Sequence, residues 1–287
     1  MTREQRGSSQ VPKVRTAAAT SDASVQPARV AAVSVAESDT PTSVARPTAR
    51  GLGDVRPARE AWELLCAPLF ERKGIRLTVY GITGKGKTTA VKDLLAFIRE
   101  RGLVDLTIVH DVKFREVIQY EGTTLHDARQ VLTPEHAPES YPATVVLRKR
   151  GLDHMPSVDQ AARVALEAAD QGLTTMLIVD EFARALDEDV AGGFRKGSTN
   201  RIACEGFGLG ASLIAMKQLP QFMPSEVRAQ SELILLGMAG DGLSHLVDER
   251  AIPPKLAPTI AQLPVGHFVI KPSEGEATGI VYKVPAP

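Results

Sequence analysis

The sequence predicts an α/β fold, a mainly parallel sheet flanked by helices, on three observations. Apolar runs rich in Val, Ile and Leu recur at residues 75–80, 106–110, 143–147, 174–179, 211–215 and 232–236, with helical or loop segments between several of them. Such alternation is the pattern of buried parallel strands connected by helices. A glycine-rich turn separates the first run from a helical pattern over 88–101. The last two apolar stretches, 267–271 and 278–283, flank Ser273-Glu274-Gly275-Glu276, which predicts a C-terminal β-hairpin.

Order begins at residues 61–70, where Trp62, Leu65 and Leu69 recur at helical spacing ahead of a basic turn, Arg72-Lys73-Gly74. The helix over 88–101 carries Val91, Leu94, Leu95 and Ile98 on one side, a stripe fit to cover a sheet. Upstream, residues 1–58 are dominated by Ala, Ser, Thr, Pro, Val and Arg and contain no aromatic residue, so they are expected to form a disordered tail. The globular domain is then expected over 59–287. Arg15, Arg29, Arg46, Arg50 and Arg56 give the tail two readings, a solvated linker or a tether to a protein or DNA partner.

Composition bounds the rest. In 287 residues, 43% hydrophobic content suffices for a sizeable core. Lys and Arg number 34 and Asp and Glu number 34, so the balance neither supports nor excludes a polyanionic partner. Cys66 and Cys204 match no metal-ligand spacing and no secreted disulfide framework, which points to a reducing compartment. No run approaches the roughly 20 apolar residues of a membrane helix, and the N-terminus has no apolar leader. A cytoplasmic protein without membrane insertion is expected.

The turn after the first strand reads Gly81-Ile82-Thr83-Gly84-Lys85-Gly86-Lys87-Thr88, followed by Thr89. This is the P-loop pattern in its strand-loop-helix context. Gly81, Gly84 and Gly86 let backbone N–H groups face phosphate, and Thr83, Lys85 and Thr89 complete the cradle. Lys87 is expected on the β- and γ-phosphates and Thr88 on Mg²⁺, with the helix N-terminus favouring the anion. A RecA-like P-loop NTPase core with ATP and Mg²⁺ as cofactors follows.

A second apolar run, Met176-Leu177-Ile178-Val179, ends in Asp180-Glu181, carboxylates at the C-terminal edge of the sheet. Asp180 is expected to hold the Mg²⁺ shell and Glu181 to polarise the attacking water. A water-activating glutamate favours hydrolysis over transfer to an acceptor. No Asn-Lys-x-Asp guanine-reading motif follows, so a GTPase is disfavoured.

Ala211-Ser212-Leu213-Ile214-Ala215-Met216-Lys217-Gln218-Leu219-Pro220 resembles the sensor strand of the FtsK/HerA motor superfamily, continuing through Pro224-Ser225-Glu226-Val227-Arg228 into another strand. His110-Asp111-Val112-Lys113 is similar to the end of strand two in these motors. The resemblance spans residues 76–284 and implies Gln218 as the γ-phosphate sensor. Where the family commonly places a trans arginine, this chain has Phe207; Arg201 is the first substitute, with Arg195 and Arg228 as the others. The resemblance further implies a hexameric homo-oligomer around double-stranded DNA, in a bacterial cell or phage-infected host. The segments 192–198 and Arg148-Lys149-Arg150 are the candidates for phosphate contact. Two readings follow: a DNA translocase of the packaging or plasmid-transfer kind, and a protein-assembly, secretion or partitioning ATPase that ignores DNA.

Overall fold

The computed structural model describes residues 54–111, 120–133, 135–136, 138–148, 158–182, 197–238, 240–273, 277 and 279–285. Residues 1–53, most of the expected tail, lie outside the described residues. In chain order the elements are β1 (Val55–Pro57), α1 (Ala58–Leu65), β2 (Arg76–Tyr80), α2 (Lys87–Glu100), β3 (Leu106–Asp111), β4 (Thr123–Leu125) and β5 (Ala143–Arg148). There follow α3 (Val158–Asp170), β6 (Thr175–Asp180), α4 (Ser198–Leu209), β7 (Ala211–Lys217), α5 (Ser225–Gln230) and β8 (Glu232–Leu236). The last are α6 (Asp241–Asp248), α7 (Ala257–Gln262), β9 (His267–Lys271) and β10 (Val281–Lys283).

The strands form one sheet in the order β1-β10-β9-β8-β2-β7-β6-β3-β5-β4. Among the described strands only β9 runs against the others, pairing with β8 and β10. The mainly parallel α/β core and its C-terminal hairpin are therefore present as the sequence predicts. Parallel pairing brings the C-terminal ends of β8, β2, β7, β6, β3 and β5 to one edge, where α/β sheets bind ligands.

Period-two alternation divides the strand side chains between two cores. Leu77, Val79, Ile178, Ile214 and Phe268 join Trp62, Leu94 and Ile98 of α1 and α2 on one face. Leu177, Val179, Leu213 and Leu235 join Ala161, Ile202, Val227 and Leu246 of the later helices on the other. Both faces are covered, which is why the central strands read as unbroken apolar runs rather than alternating ones.

Two boundaries differ from the sequence expectation. The expected helix over 61–70 stops at Leu65, and Ala67–Glu71 forms a 3-10 turn with Pro68 in its first turn, because proline has no N–H to continue an α-helical ladder. β1 lies upstream of residue 59 and pairs in parallel with β10, so the sheet recruits residues that composition assigns to the tail. Among the described residues no helix is long and apolar enough to cross a membrane.

Candidate nucleotide site

β2 ends at Tyr80 and the chain turns at once, Ile82 N–H donating to Gly237 O at 3.2 Å beside the end of β8. Gly84 and Gly86 take φ of 81° and 96°, the left-handed region that favours glycine. A Cβ on Gly84 would meet nothing within 4 Å, so the outer side of the loop is open. A Cβ on Gly86 would lie 3.3 Å from Gly266 N, so close approach as well as φ requires glycine there.

Gly86 opens α2, whose first intrahelical bond runs from Ala90 N–H to Gly86 O at 2.8 Å. The N–H groups of the first turn, at Lys87, Thr88 and Thr89, therefore have no carbonyl within the helix, and the macrodipole adds positive potential there. Lys87 is buried and its Nζ donates to Gly81 O at 2.6 Å and Ile82 O at 3.4 Å, folded over the start of the loop. Thr83 and Gly84 are exposed, and Lys85 and Thr88 are half-buried. This open, donor-rich concavity suits a phosphate chain held by backbone.

The loop is braced from the C-terminal hairpin. Lys85 Nζ donates to Leu263 O at 2.9 Å, Gly266 N–H donates to Lys85 O at 3.2 Å, and Val284 N–H donates to Gly266 O at 2.9 Å. The Lys85 side chain is thus directed to the segment before β9. Nothing in the local sequence links these residues, which are joined only by the sheet order.

Beside β2, β7 and then β6 deliver the remaining candidates. Asp180, the last residue of β6, is fully buried. Glu181 follows with φ 58°, a left-handed conformation that costs a non-glycine residue about 1–2 kcal/mol and is held by its surroundings. Its Oε1 accepts from Gln218 Nε2 at 3.2 Å, so the two residues singled out on separate strands meet at the sheet edge. Next in the row, Asp111 aligns with both Asp180 and Arg148, and Arg148 Nε lies 3.5 Å from Asp111 Oδ2.

Thr88 and Asp180 are oxygen donors, the chemistry a hard divalent cation takes. Among the described residues no group of three or more His, Cys, Asp or Glu side chains gathers to hold a metal. The donor set therefore fits Mg²⁺ that arrives with phosphate oxygens, rather than an ion caged by protein alone.

Of the other candidates, some hold partners of their own and the rest lie outside the described residues. Arg201 on α4 is exposed and its Nε pairs with Glu205 Oε2 at 3.1 Å. Arg228 on α5 is engaged inward, donating to His245 Nε2 at 2.8 Å and to Glu249. Phe207 stands near the opposite edge of the sheet, with Lys73 Nζ 5.5 Å and Arg76 Cζ 6.0 Å from its ring centroid. Val112, Lys113, Lys149, Arg150, Arg195 and the rest of 192–196 lie outside the described residues, whereas Gly197 and Ser198 cap and begin α4. A cavity of about 560 Å³ between α1, α2 and the end of β10 includes no P-loop residue in its lining.

No family model matches the chain, and no curated protein is similar to it in sequence. Solved structures share its fold. The genome packaging NTPase B204 from Sulfolobus turreted icosahedral virus 2, in complex with sulfate, superposes with a TM-score of 0.56 at 15% identity, covering 75% of this chain and 98% of that one. Its complex with ATP-gammaS gives 0.53 at 14% identity over 72% and 95%. VirB4 of Thermoanaerobacter pseudethanolicus gives 0.51 at 15% identity over 74% and 89%. These likenesses bear out, for the fold, the FtsK/HerA resemblance read from the sequence.

Proposed function

We propose that this chain is an ATP-hydrolysing DNA translocase of the genome-packaging kind, working as a homo-oligomeric, hexameric ring on double-stranded DNA. The observation that carries the reading is the Gln218 to Glu181 hydrogen bond of 3.2 Å beside a complete P-loop. It couples a residue suited to sense the γ-phosphate to a carboxylate suited to activate water. The fold shared with a viral genome packaging NTPase supports the same reading.

In this proposal the N–H groups of 83–89 and the Lys87 ammonium bind the β- and γ-phosphates. Lys87 leaves the Gly81 and Ile82 carbonyls for a charged partner, exchanging neutral acceptors for stronger ones. Thr88 and Asp180 would hold Mg²⁺, which would supply positive charge against the charge developing on the phosphate oxygens. Glu181 takes a proton from water while Gln218 fixes its carboxylate. Arg201, exposed on α4, is the cation offered to a neighbouring subunit.

The test is steady-state ATP hydrolysis by wild type and Glu181→Gln, with and without linear double-stranded DNA at low salt, where phosphate contacts are strongest. Stimulation by DNA that vanishes in Glu181→Gln supports the motor. Turnover indifferent to DNA favours the protein-assembly or secretion ATPase, and normal turnover in Glu181→Gln removes the assigned base.

A further inference from the structure

The strand order gives the nucleotide site a direction. β2, which leads into the P-loop, lies between β7 and β8. Glu181 and Gln218, the residues assigned to the γ-phosphate, follow β6 and β7 on one side of it. A triphosphate is a linear chain. With its γ end at that pair and its β-phosphate in the loop, its nucleoside is directed to the other side, toward β8 and β9. β9 runs against β8, with Phe268 opposite Leu236, so the segment entering β9 stands at the same sheet edge as the P-loop.

That segment, Leu263-Pro264-Val265-Gly266, is fixed to the P-loop itself. Lys85 Nζ donates to Leu263 O at 2.9 Å, Gly266 N–H donates to Lys85 O at 3.2 Å, and a Cβ on Gly86 would lie 3.3 Å from Gly266 N. Val265 sits between these anchors, yet it is 65% exposed, the highest value among the large apolar residues described. An apolar side chain held in water beside a phosphate cradle is suited to cover one face of a base.

The carbonyls of the segment are engaged elsewhere. Pro264 O accepts from His267 N–H at 3.1 Å, Val265 O from His267 Nδ1 at 3.2 Å, and Gly266 O from Val284 N–H at 2.9 Å. With Leu263 O taken by Lys85, all four carbonyls already accept a hydrogen bond, and Pro264 has no N–H to offer. Adenine and guanine differ in the donors and acceptors along their edges. A site built to hydrogen-bond a ligand rejects the wrong one by about 10⁴-fold or more, whereas apolar contact discriminates only weakly.

We propose that Val265 is the platform for the nucleotide base, covering its face without reading its edge, so that the site takes purine nucleoside triphosphates as a class, GTP as well as ATP. The inference rests on the nucleotide-site reading above.

The experiment is displacement of a ribose-labelled fluorescent ATP analogue from the full chain, in Mg²⁺, by ATP, by GTP and by inorganic tripolyphosphate, which has the phosphates and no base. Wild type, Val265→Ala, Val265→Trp and Lys87→Ala are compared. In wild type, GTP is expected to compete within about tenfold of ATP, and tripolyphosphate more weakly than either. Val265→Ala trims the apolar contact and is expected to weaken ATP and GTP alike, by about three- to tenfold, while tripolyphosphate keeps its wild-type affinity. Val265→Trp is expected to tighten both nucleotides about tenfold through stacking, again without moving tripolyphosphate. GTP more than about a hundredfold weaker than ATP in wild type would mean that the edge is read, and overturns the proposal. So does an unmoved ATP affinity in Val265→Ala, or a loss for tripolyphosphate equal to that for ATP, which would make the segment a brace for the loop and nothing more. Analogue binding that survives Lys87→Ala unchanged overturns the nucleotide-site reading itself, and the role of Val265 with it.

Discussion

Lys85 Nζ donates to the carbonyl of Leu263 at 2.9 Å, which ties the P-loop to the segment that precedes β9. The tie is structural, since the Lys85 stem also packs over Gly237, where a Cβ would come 2.8 Å from Cε. Lys85→Met keeps the stem and deletes the charged donor, leaving a buried carbonyl short of one partner. A loss of about 1–2 kcal/mol in stability is expected. Nucleotide affinity should fall only several-fold, through a looser loop. Urea unfolding and nucleotide titration of the same sample check this. A hundredfold loss of affinity at unchanged stability would instead make Lys85 a direct nucleotide ligand.

Gln218 sits where loss of its amide should separate chemistry from binding. Glu181 is held at φ 58° and receives the amide at 3.2 Å. Gln218→Ala removes the donor without touching the P-loop. On the proposed reading kcat falls about a hundredfold, a typical yield of one positioned acid–base group, while KM stays within a few-fold. Equal effects on nucleotide Kd and kcat would assign Gln218 to binding rather than to orientation of the base.

The contrast between these two residues marks what the sequence reveals and what it hides. The place of Glu181 was legible because it follows an apolar run and strand ends collect at one edge of a parallel sheet, whereas Gln218 was singled out by the resemblance of residues 211–220 to a sensor strand. Their contact was not legible, since it depends on β7 lying next to β6. The Lys85 brace is hidden for the same reason, its partners standing 178 positions apart in sequence. Strand ends were also underestimated. The strand expected over 211–215 falls short of β7, which runs through Met216 to Lys217, where backbone pairing with Tyr80 continues after the apolar pattern ends. β1 and β4 are three residues each, too short for periodicity to register; Pro57 in β1 is compatible with the edge position that strand takes. Tyr120 belongs to no strand or helix, and only the folded chain brings its hydroxyl to Met216 on β7.

Trp62 offers a test of how α1 is fastened. It is 1% exposed, stacks on Phe268 at 4.9 Å between centroids, and donates from Nε1 to Asp93 Oδ2 at 2.7 Å. Trp62→Phe keeps the stack and removes the hydrogen bond, so about 1–2 kcal/mol is expected to be lost. Trp62→Ala also opens a cavity and should cost about 3–5 kcal/mol. Because Trp62 is the sole tryptophan, circular dichroism rather than fluorescence should follow the unfolding. A cost below about 1 kcal/mol for the alanine variant would mean that α1 is not docked by this residue.

Glu232, the first residue of β8, sets a pH dependence whose sign is fixed by burial. Desolvation raises its carboxyl from 4.5 to about 7, against the smaller opposing pull of Arg76 and Lys271. The neighbouring Cys66 thiol is pushed up to about 12, first by burial and then by the Glu232 charge. Between the two Glu232 values the folded chain holds a proton that the unfolded chain has released. Stability from this group is therefore complete below 4.5 and is lost as pH rises toward about 7, where the loss levels off. Glu232→Gln carries no charge at any pH and removes the slope. Relative to wild type it is expected to unfold at a similar temperature at pH 4.5. At pH 8 it should be more stable by on the order of 1 kcal/mol, a value reduced for the residue's partial contact with water. Thermal unfolding of both proteins across this range decides the matter. A variant less stable than wild type at pH 8 would mean that the ionised carboxylate is held favourably by Arg76 and Lys271 and that burial is not the governing effect.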